Sequence, residues 1–194
     1  MTTLVVPDSI RRALEPDPAL VERPLEERSA WHGALVDVHH VDVATPDGEV
    51  ALREIVRHPG GCGVLVVRDG LMCLVRQWRM ALGRMTLELP AGKLEPGEDP
   101  LHCAARELRE ETGLVATDLV HVASTTGIIG FSDELTRVFW ARSWEEGESS
   151  TDADEFVGVV WLPVRDVLAA VRAGAITDAK TVVATLAWEA GLCK

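Results

Sequence analysis

No run of lysine or arginine occurs anywhere in this chain, and its 19 basic residues are outnumbered by 31 acidic ones, for a formal net charge of -12. A surface of that sign repels nucleic acid unless a basic patch interrupts it, so no nucleic-acid partner is expected. Long apolar runs are missing too. No stretch approaches the roughly 18 apolar residues that a membrane-spanning helix requires, and no membrane partner is expected. Cys62, Cys73, Cys103 and Cys193 show neither CxxC pairing nor zinc-finger spacing. They read as small buried hydrophobes in a reducing compartment. The opening MTTLVVPDSIRRALEPD lacks the basic segment followed by an apolar run that marks a secretory leader, so a cytoplasmic location is expected. Internal repeats and low-complexity tracts are absent as well.

What is present is material for a core. Of 194 residues, 47% are hydrophobic and 26% charged, enough for one sizeable core with a small appendage. The acidic balance creates a difficulty for any phosphate-rich substrate. Either a few arginines are placed locally, or divalent cations bridge acidic protein to acidic ligand.

Residues 1–30 are charged and proline-punctuated, with one short helix expected around Ser9 to Leu14. ALVDVHHVDVATPDGEVALREIVRHPG reads as two strands turned at Pro46-Asp47-Gly48. GCGVLVVRDGLMCLVRQW reads as a second hairpin, turned at Asp69-Gly70. An N-terminal antiparallel sheet whose edges need a partner follows. EDPLHCAARELREETG is the clearest helix, with Glu98 or Asp99 as cap, Pro100 in the first turn and Gly113 at the left-handed end. Leu101, Ala104, Ala105 and Leu108 give it an apolar side. Strands are expected over 119–125, 135–141 and 156–162, with the acidic loop SWEEGESSTDADE between the last two. Pro163 starts a helix through Val171, and Thr177 or Asp178 caps a last one ending near Gly191. Strands flanked by helices on both sides indicate an α/β/α sandwich.

Glu107, Glu110 and Glu111 project from one side of the central helix. Arg106 can pair with Glu110 but does little for Glu107. A solvated acidic face would account for this helix alone. The preceding LPAGKLEPGE, however, makes a tight Gly- and Pro-rich loop that carries Glu95 and Glu98 and exposes backbone carbonyls near Ala91. Carboxylate and carbonyl oxygens on a rigid turn-helix unit suit hard Mg²⁺ ions, which would supply activated water and neutralise a diphosphate. On that reading the acids hold metal, and the metal holds the substrate.

The run from Gly92-Lys93-Leu94-Glu95-Pro96-Gly97-Glu98 through Arg106-Glu107-Leu108-Arg109-Glu110-Glu111-Thr112-Gly113-Leu114 resembles a complete box of the Nudix hydrolase family. The resemblance implies a Nudix α/β/α sandwich over 61–194, preceded by an N-terminal extension and antiparallel β-sheet subdomain over 1–60. It implies Mg²⁺, with Mn²⁺ able to substitute, held by Glu107, Glu111, Glu110 and the Ala91 carbonyl. Arg106 would orient the glutamates by salt bridge.

Outside the box, the chain is similar to the ADP-ribose and nucleoside-diphosphate-sugar pyrophosphatase group. The shared pieces are Gly48 with Arg53-Glu54, His58-Pro59-Gly60, Arg76-Gln77-Trp78-Arg79, Glu88-Leu89-Pro90-Ala91-Gly92 and Phe131-Ser132-Asp133-Glu134. That similarity implies a homodimer whose N-terminal sheets exchange. Arg79 and Glu88 fall where the group touches substrate or a metal-bound network; Arg53, Arg76 and Glu134 are further substrate candidates. Trp31 and Trp78 are candidates to stack on a base. The general base of the group lies on the loop before the last core strand, where Glu155 is the first choice, then Asp154 and Asp152.

The expected reaction is hydrolysis of ADP-ribose to AMP and ribose 5-phosphate by metal-activated water. One departure bears on substrate: Thr125 to Glu134 lacks the proline usual in this group, in a loop that lies near the sugar side in relatives. Another nucleoside-diphosphate sugar such as GDP-mannose is the alternative, and a non-catalytic ligand-sensing regulator is the alternative of another class. A mutator-type triphosphatase fits the long N-terminal sheet poorly.

Overall fold

A computed structural model describes residues 5–150 and 156–193. The chain divides into two compact units between Arg57 and His58. In the first, a short helix α1 (Asp8–Ala13) precedes strands β1 (Arg23–His32), β2 (Asp37–Ala44) and β3 (Val50–Arg57), which form an antiparallel sheet in the order β1-β2-β3. The turn at Pro46-Asp47-Gly48 joins β2 to β3 as expected, with the Gly48 N–H donating to the Thr45 carbonyl. Strand β1 falls in the stretch that read as proline-punctuated extension. Charge hides it, because Glu26, Glu27 and Arg28 interrupt any alternation, and all ten of its residues are exposed.

The second unit contains β4 (Gly61–Leu65), β5 (Val67–Arg68), β6 (Leu71–Arg79), β7 (Arg84–Glu88), β8 (Ala91–Lys93), α2 (Pro100–Thr112), β9 (Leu114–Thr125), β10 (Thr136–Glu146), β11 (Gly158–Pro163), α3 (Val164–Arg172) and α4 (Ala179–Glu189). Two sheets result, one in the order β8-β4-β10-β9 and one in the order β11-β6-β5 with β7 on β6. The expected second hairpin is therefore corrected in part. Asp69-Gly70 does turn β5 into β6, but β4 leaves that sheet and runs parallel to β10. A parallel neighbour far along the chain cannot be read from local turn signals.

Burial explains the run GCGVL. All five residues of β4 are buried, as expected for a strand covered on both faces. Along β10 the faces separate cleanly. Phe139 and Ala141 join Cys62, Val64, Cys103, Ala104 and Leu108 in a core beneath α2. Val138 joins Leu65, Met72, Leu74, Val167 and Ala184 in a second core beneath α3 and α4. Alternate side chains thus feed opposite layers, which gives sheets flanked by helices on both sides and the α/β/α architecture expected.

Helix α2 begins and ends where sequence chemistry dictates. Of the two candidate caps Asp99 is the one used, accepting from the Leu101 N–H at 2.8 Å, and Gly113 closes the helix at φ 76°. Its inward face is more acidic than expected. Leu101 is 43% exposed, whereas Cys103, Ala104, Leu108 and both Glu107 and Glu111 are buried. Replacing Asp99 with Ala leaves the first turn without its acceptor and should cost about 1 kcal/mol, read as a lowered urea midpoint with an unchanged slope.

Candidate active site

The site begins with the loop that enters α2. The Glu98 carboxylate accepts from the Glu95 N–H at 3.0 Å, closing the turn through Pro96-Gly97, and then receives Arg106 through Nε and Nη2, each at 2.9 Å. Those hydrogen bonds hold the Glu98 carboxyl down to about 2. The same guanidinium donates through Nη1 to Glu107 at 2.7 Å and to Glu110 at 3.0 Å. Arg106 therefore reaches Glu107 as well as Glu110, contrary to the expectation from spacing. A neighbour in sequence normally points to a different face, but Arg106 folds back across the helix toward the loop, where Nη2 also donates to the Lys93 carbonyl at 3.3 Å. One cation binds three carboxylates.

Glu111 is engaged from another direction, accepting from the Ala91 N–H at 2.8 Å. Gly92 is glycine for a steric reason: a Cβ there would overlap the Glu107 carboxyl. The bare backbone of β8 and the acidic face of α2 are thus pressed together. With Glu107 at 8% and Glu111 at 4% exposure, a merely solvated acidic face is excluded. The donor set is oxygen throughout, the chemistry that Mg²⁺ selects. Among the described residues no three acidic, histidine or cysteine side chains are gathered as a ready-made metal cage, because Glu107 and Glu110 turn to Arg106 while Glu111 turns to Ala91. These residues fit a hard cation by their chemistry, and Arg106 fixes the positions of Glu107 and Glu110.

A second ionic cluster lies at the end of β7. Glu88 is 3% exposed. It accepts from Arg79 Nε and Nη2, both at 2.7 Å, from Lys180 Nζ at 2.7 Å and from Thr86 Oγ1 at 2.8 Å. Burial pushes its carboxyl up, but Arg79, Lys180 and Thr86 together bring it down to about 2. Arg79 thus spends two donors on Glu88 while its side chain stays 46% exposed. Sequence reading missed Lys180. One signal was available: a lysine in the first turn of α4 opposes the helix dipole, and it is compensated here by Glu88 and by Asp178 at 2.9 Å. Asp178 also caps α4 by accepting from the Thr181 N–H at 3.0 Å.

Arg79, Glu88, Lys180 and Glu134 line one cleft of about 460 Å³, together with Leu82, Arg84, Ile176 and Thr177. Glu134 is brought there by the pieces around it. The His58 N–H donates to Asp133 at 3.0 Å, and the Gly61 N–H donates to the Leu135 carbonyl at 3.1 Å. Gly60, at φ 83°, lets that carbonyl approach. His58-Pro59-Gly60 and Ser132-Asp133-Glu134, far apart in sequence, thus form one structural unit.

The remaining candidates are distributed differently. Arg76 is exposed on β6 and does not line this cleft, and Trp78 is 56% exposed. Trp31 and Arg53 belong to the N-terminal unit, where Trp31 is 55% exposed and Arg53 is paired with Glu22 through Nε at 3.0 Å and through Nη2. Glu155, Asp154 and Asp152 lie outside the described residues. The segment leading to them is tied to the end of α2, with the Gly147 N–H donating to the Gly113 carbonyl at 2.7 Å and the Ser150 N–H to the Glu110 carbonyl at 3.0 Å.

The chain resembles known proteins over most of its length. The model of the NUDIX domain matches residues 57–185. An ADP-ribose pyrophosphatase of Bacillus subtilis (strain 168) is 40% identical over 166 residues, covering 84% of this chain and 90% of the relative. A methanol dehydrogenase activator of Bacillus methanolicus is 36% identical over the same length and the same shares. The crystal structure of an ADP compounds hydrolase shares the fold at a TM-score of 0.75 and 20% identity, covering 89% of this chain and 96% of that one.

Because the folded Glu88 carboxyl lies below its ordinary 4.5, its stabilising contribution is complete above that value and is lost as pH falls from 4.5 toward 2. Glu88→Gln should therefore flatten the pH dependence of the urea midpoint in that window. An unchanged slope would show that the cluster carries no such linkage.

Proposed function

The chain belongs to the NUDIX domain family, and from that premise we propose that it hydrolyses ADP-ribose to AMP and ribose 5-phosphate in a Mg²⁺-dependent reaction, Mn²⁺ serving as a substitute. The observation that carries this reading is the pair of buried carboxylates Glu107 and Glu111 against the bare backbone at Gly92. An all-carboxylate set buried to this degree is costly to a fold and is expected where a hard cation is to be held. The substrate class rests on the Bacillus subtilis relative, at 40% identity over 84% of this chain and 90% of the relative.

Each residue has a part. Glu107, Glu110 and Glu111, with the Ala91 carbonyl, would hold the metal, which when bound supplies positive charge to the diphosphate and acidifies the attacking water. Arg106 keeps Glu107 and Glu110 in place through its shared Nη1, and the Ala91 N–H does the same for Glu111. Arg79, held rigid by its two-point pairing with Glu88, presents its remaining N–H edge to the diphosphate. Glu155 takes the proton from water as it attacks one phosphorus in line. The described chain on this side reaches Ser150, whose N–H is bound to the Glu110 carbonyl. Arg53, Arg76 and Glu134 are further candidates for contact with the substrate, and Trp31 is a candidate to stack on a base.

A homodimer is part of the same proposal. Strand β1 is exposed along its whole length and carries Leu25 and Trp31 at 56% and 55% exposure. A long exposed edge strand bearing large apolar side chains calls for a covering partner. Sedimentation equilibrium should give twice 21.1 kDa; a monomer at micromolar concentration would remove this part of the proposal.

The activity is tested by product analysis with Mg²⁺ on ADP-ribose, GDP-mannose, UDP-glucose, FAD, NADH and dGTP. AMP and ribose 5-phosphate should appear fastest from ADP-ribose, and Glu111→Gln should abolish the reaction. Glu155→Gln should lower kcat about 100-fold. Preference for GDP-mannose would keep the chemistry and change the substrate. Silence on every compound, in a protein that still binds ADP-ribose, would indicate a ligand-sensing regulator instead.

A further inference from the structure

One cation in the cleft is left unused by the roles above. Arg84 opens β7 directly opposite Arg79 in the β6–β7 register. Like charges facing each other across an antiparallel pair are destabilising, so each guanidinium calls for an anion. Arg79 has Glu88. Arg84 has no ion pair among the described residues, and its hydrogen bond goes to the neutral Thr177 Oγ1 at 2.9 Å. In a chain of net charge -12, an arginine that faces another arginine while the cleft carboxylates Glu88 and Asp178 are taken up by Lys180 is a poor structural choice at this position. It is a good choice for a ligand that brings its own negative charge.

The walls around it narrow the ligand. Leu82, Leu87 and Ile176 supply an aliphatic surface, and Glu134, 40% exposed at its side chain, supplies a carboxylate acceptor. Among the described residues no aromatic ring lines the cleft, so a nucleobase finds no described ring to stack on there. A donor fork, an acceptor for hydroxyl groups and an aliphatic wall suit a polyhydroxylated, phosphorylated molecule. The cleft also adjoins the chemistry, because the chain runs directly from Glu88 in its wall to Ala91, whose N–H is bound to Glu111.

We infer that this cleft receives the sugar-phosphate half of the diphosphate substrate, and that Arg84 is a specificity-determining residue that hydrogen-bonds to it. The inference rests on the pyrophosphatase reading above and adds the subsite to it. The nucleoside half is bound elsewhere, and Arg84 does not contribute to it.

Isothermal calorimetry on the full chain in EDTA separates these statements from turnover. Wild type is titrated with ADP-ribose, ribose 5-phosphate and AMP. Arg84→Ala should weaken ADP-ribose and ribose 5-phosphate about tenfold, the loss expected for a hydrogen bond to a charged group, and leave AMP unchanged. Arg84→Lys, which keeps the charge and loses the fork, should restore part of the difference. Equal weakening of all three ligands together with a lowered melting temperature would make Arg84 a structural residue and overturn the inference. Unchanged binding of both sugar phosphates would overturn it as well, as would a wild type that binds no sugar phosphate. If the panel instead reveals a different nucleoside-diphosphate sugar, the ADP-ribose assignment fails separately. The same comparison is then made with that substrate and its sugar phosphate, where loss supports the subsite and no loss overturns it.

Discussion

Glu107 and Glu111 stand one helical turn apart, both buried, beneath a strand whose glycine leaves no room for a side chain. Two like charges in that position oppose each other and both lose water, so the arrangement persists only where other groups hold it. Arg106 supplies one answer by spanning Glu98, Glu107 and Glu110 at once. The Ala91 N–H supplies another to Glu111. Much of the local architecture follows from that constraint. The Pro96-Gly97 turn brings Glu98 within reach of Arg106, β8 must be narrow at Gly92, and Leu108 must anchor α2 in the core from its other side, a contribution of about 2 kcal/mol for a leucine fully removed from water.

The cluster around Glu88 works by the same logic with the signs reversed. Here one buried carboxylate collects Arg79 and Lys180, joining the β6–β7 hairpin to the start of α4. The two clusters are linked by the short segment Glu88-Leu89-Pro90-Ala91-Gly92. Leu89 is fully buried, and its N–H donates to Thr181 Oγ1 at 2.8 Å. One extended stretch of chain therefore joins the acidic face of α2 to the cleft where Arg79, Arg84 and Lys180 stand among Glu88, Glu134 and Asp178.

The parts legible in sequence were those set by local chemistry. Pro100 and Gly113, with Glu98 or Asp99 as cap, marked both ends of α2, Pro46-Asp47-Gly48 marked the β2–β3 turn, and Thr177 or Asp178 marked the start of α4, each through a backbone need that a particular side chain meets. The family box was legible because its residues lie along one loop and one helix. Less was visible where partners are distant. Lys180 is separated by most of the second unit from Glu88, and Arg84 acquires meaning only when register sets it opposite Arg79. The strand β1 stayed hidden because, with every residue exposed, it carries no alternation of apolar and polar positions.

The amino-acid sequence by itself determined the family, the sandwich of helices on sheets, and the acidic helix with its capping residues. All of these are written in contiguous segments, where spacing along the chain equals spacing along a helix or turn. Tertiary structure decided which of those acids are buried and what holds them. It carried β4 away from β6 to lie beside β10, folded Arg106 across to Glu107 as well as Glu110, and closed Lys180 onto Glu88. The physical reason is the same in each case. Desolvation and ion pairing depend on which surfaces meet in space, and those surfaces come from segments whose separation along the chain says nothing about their contact.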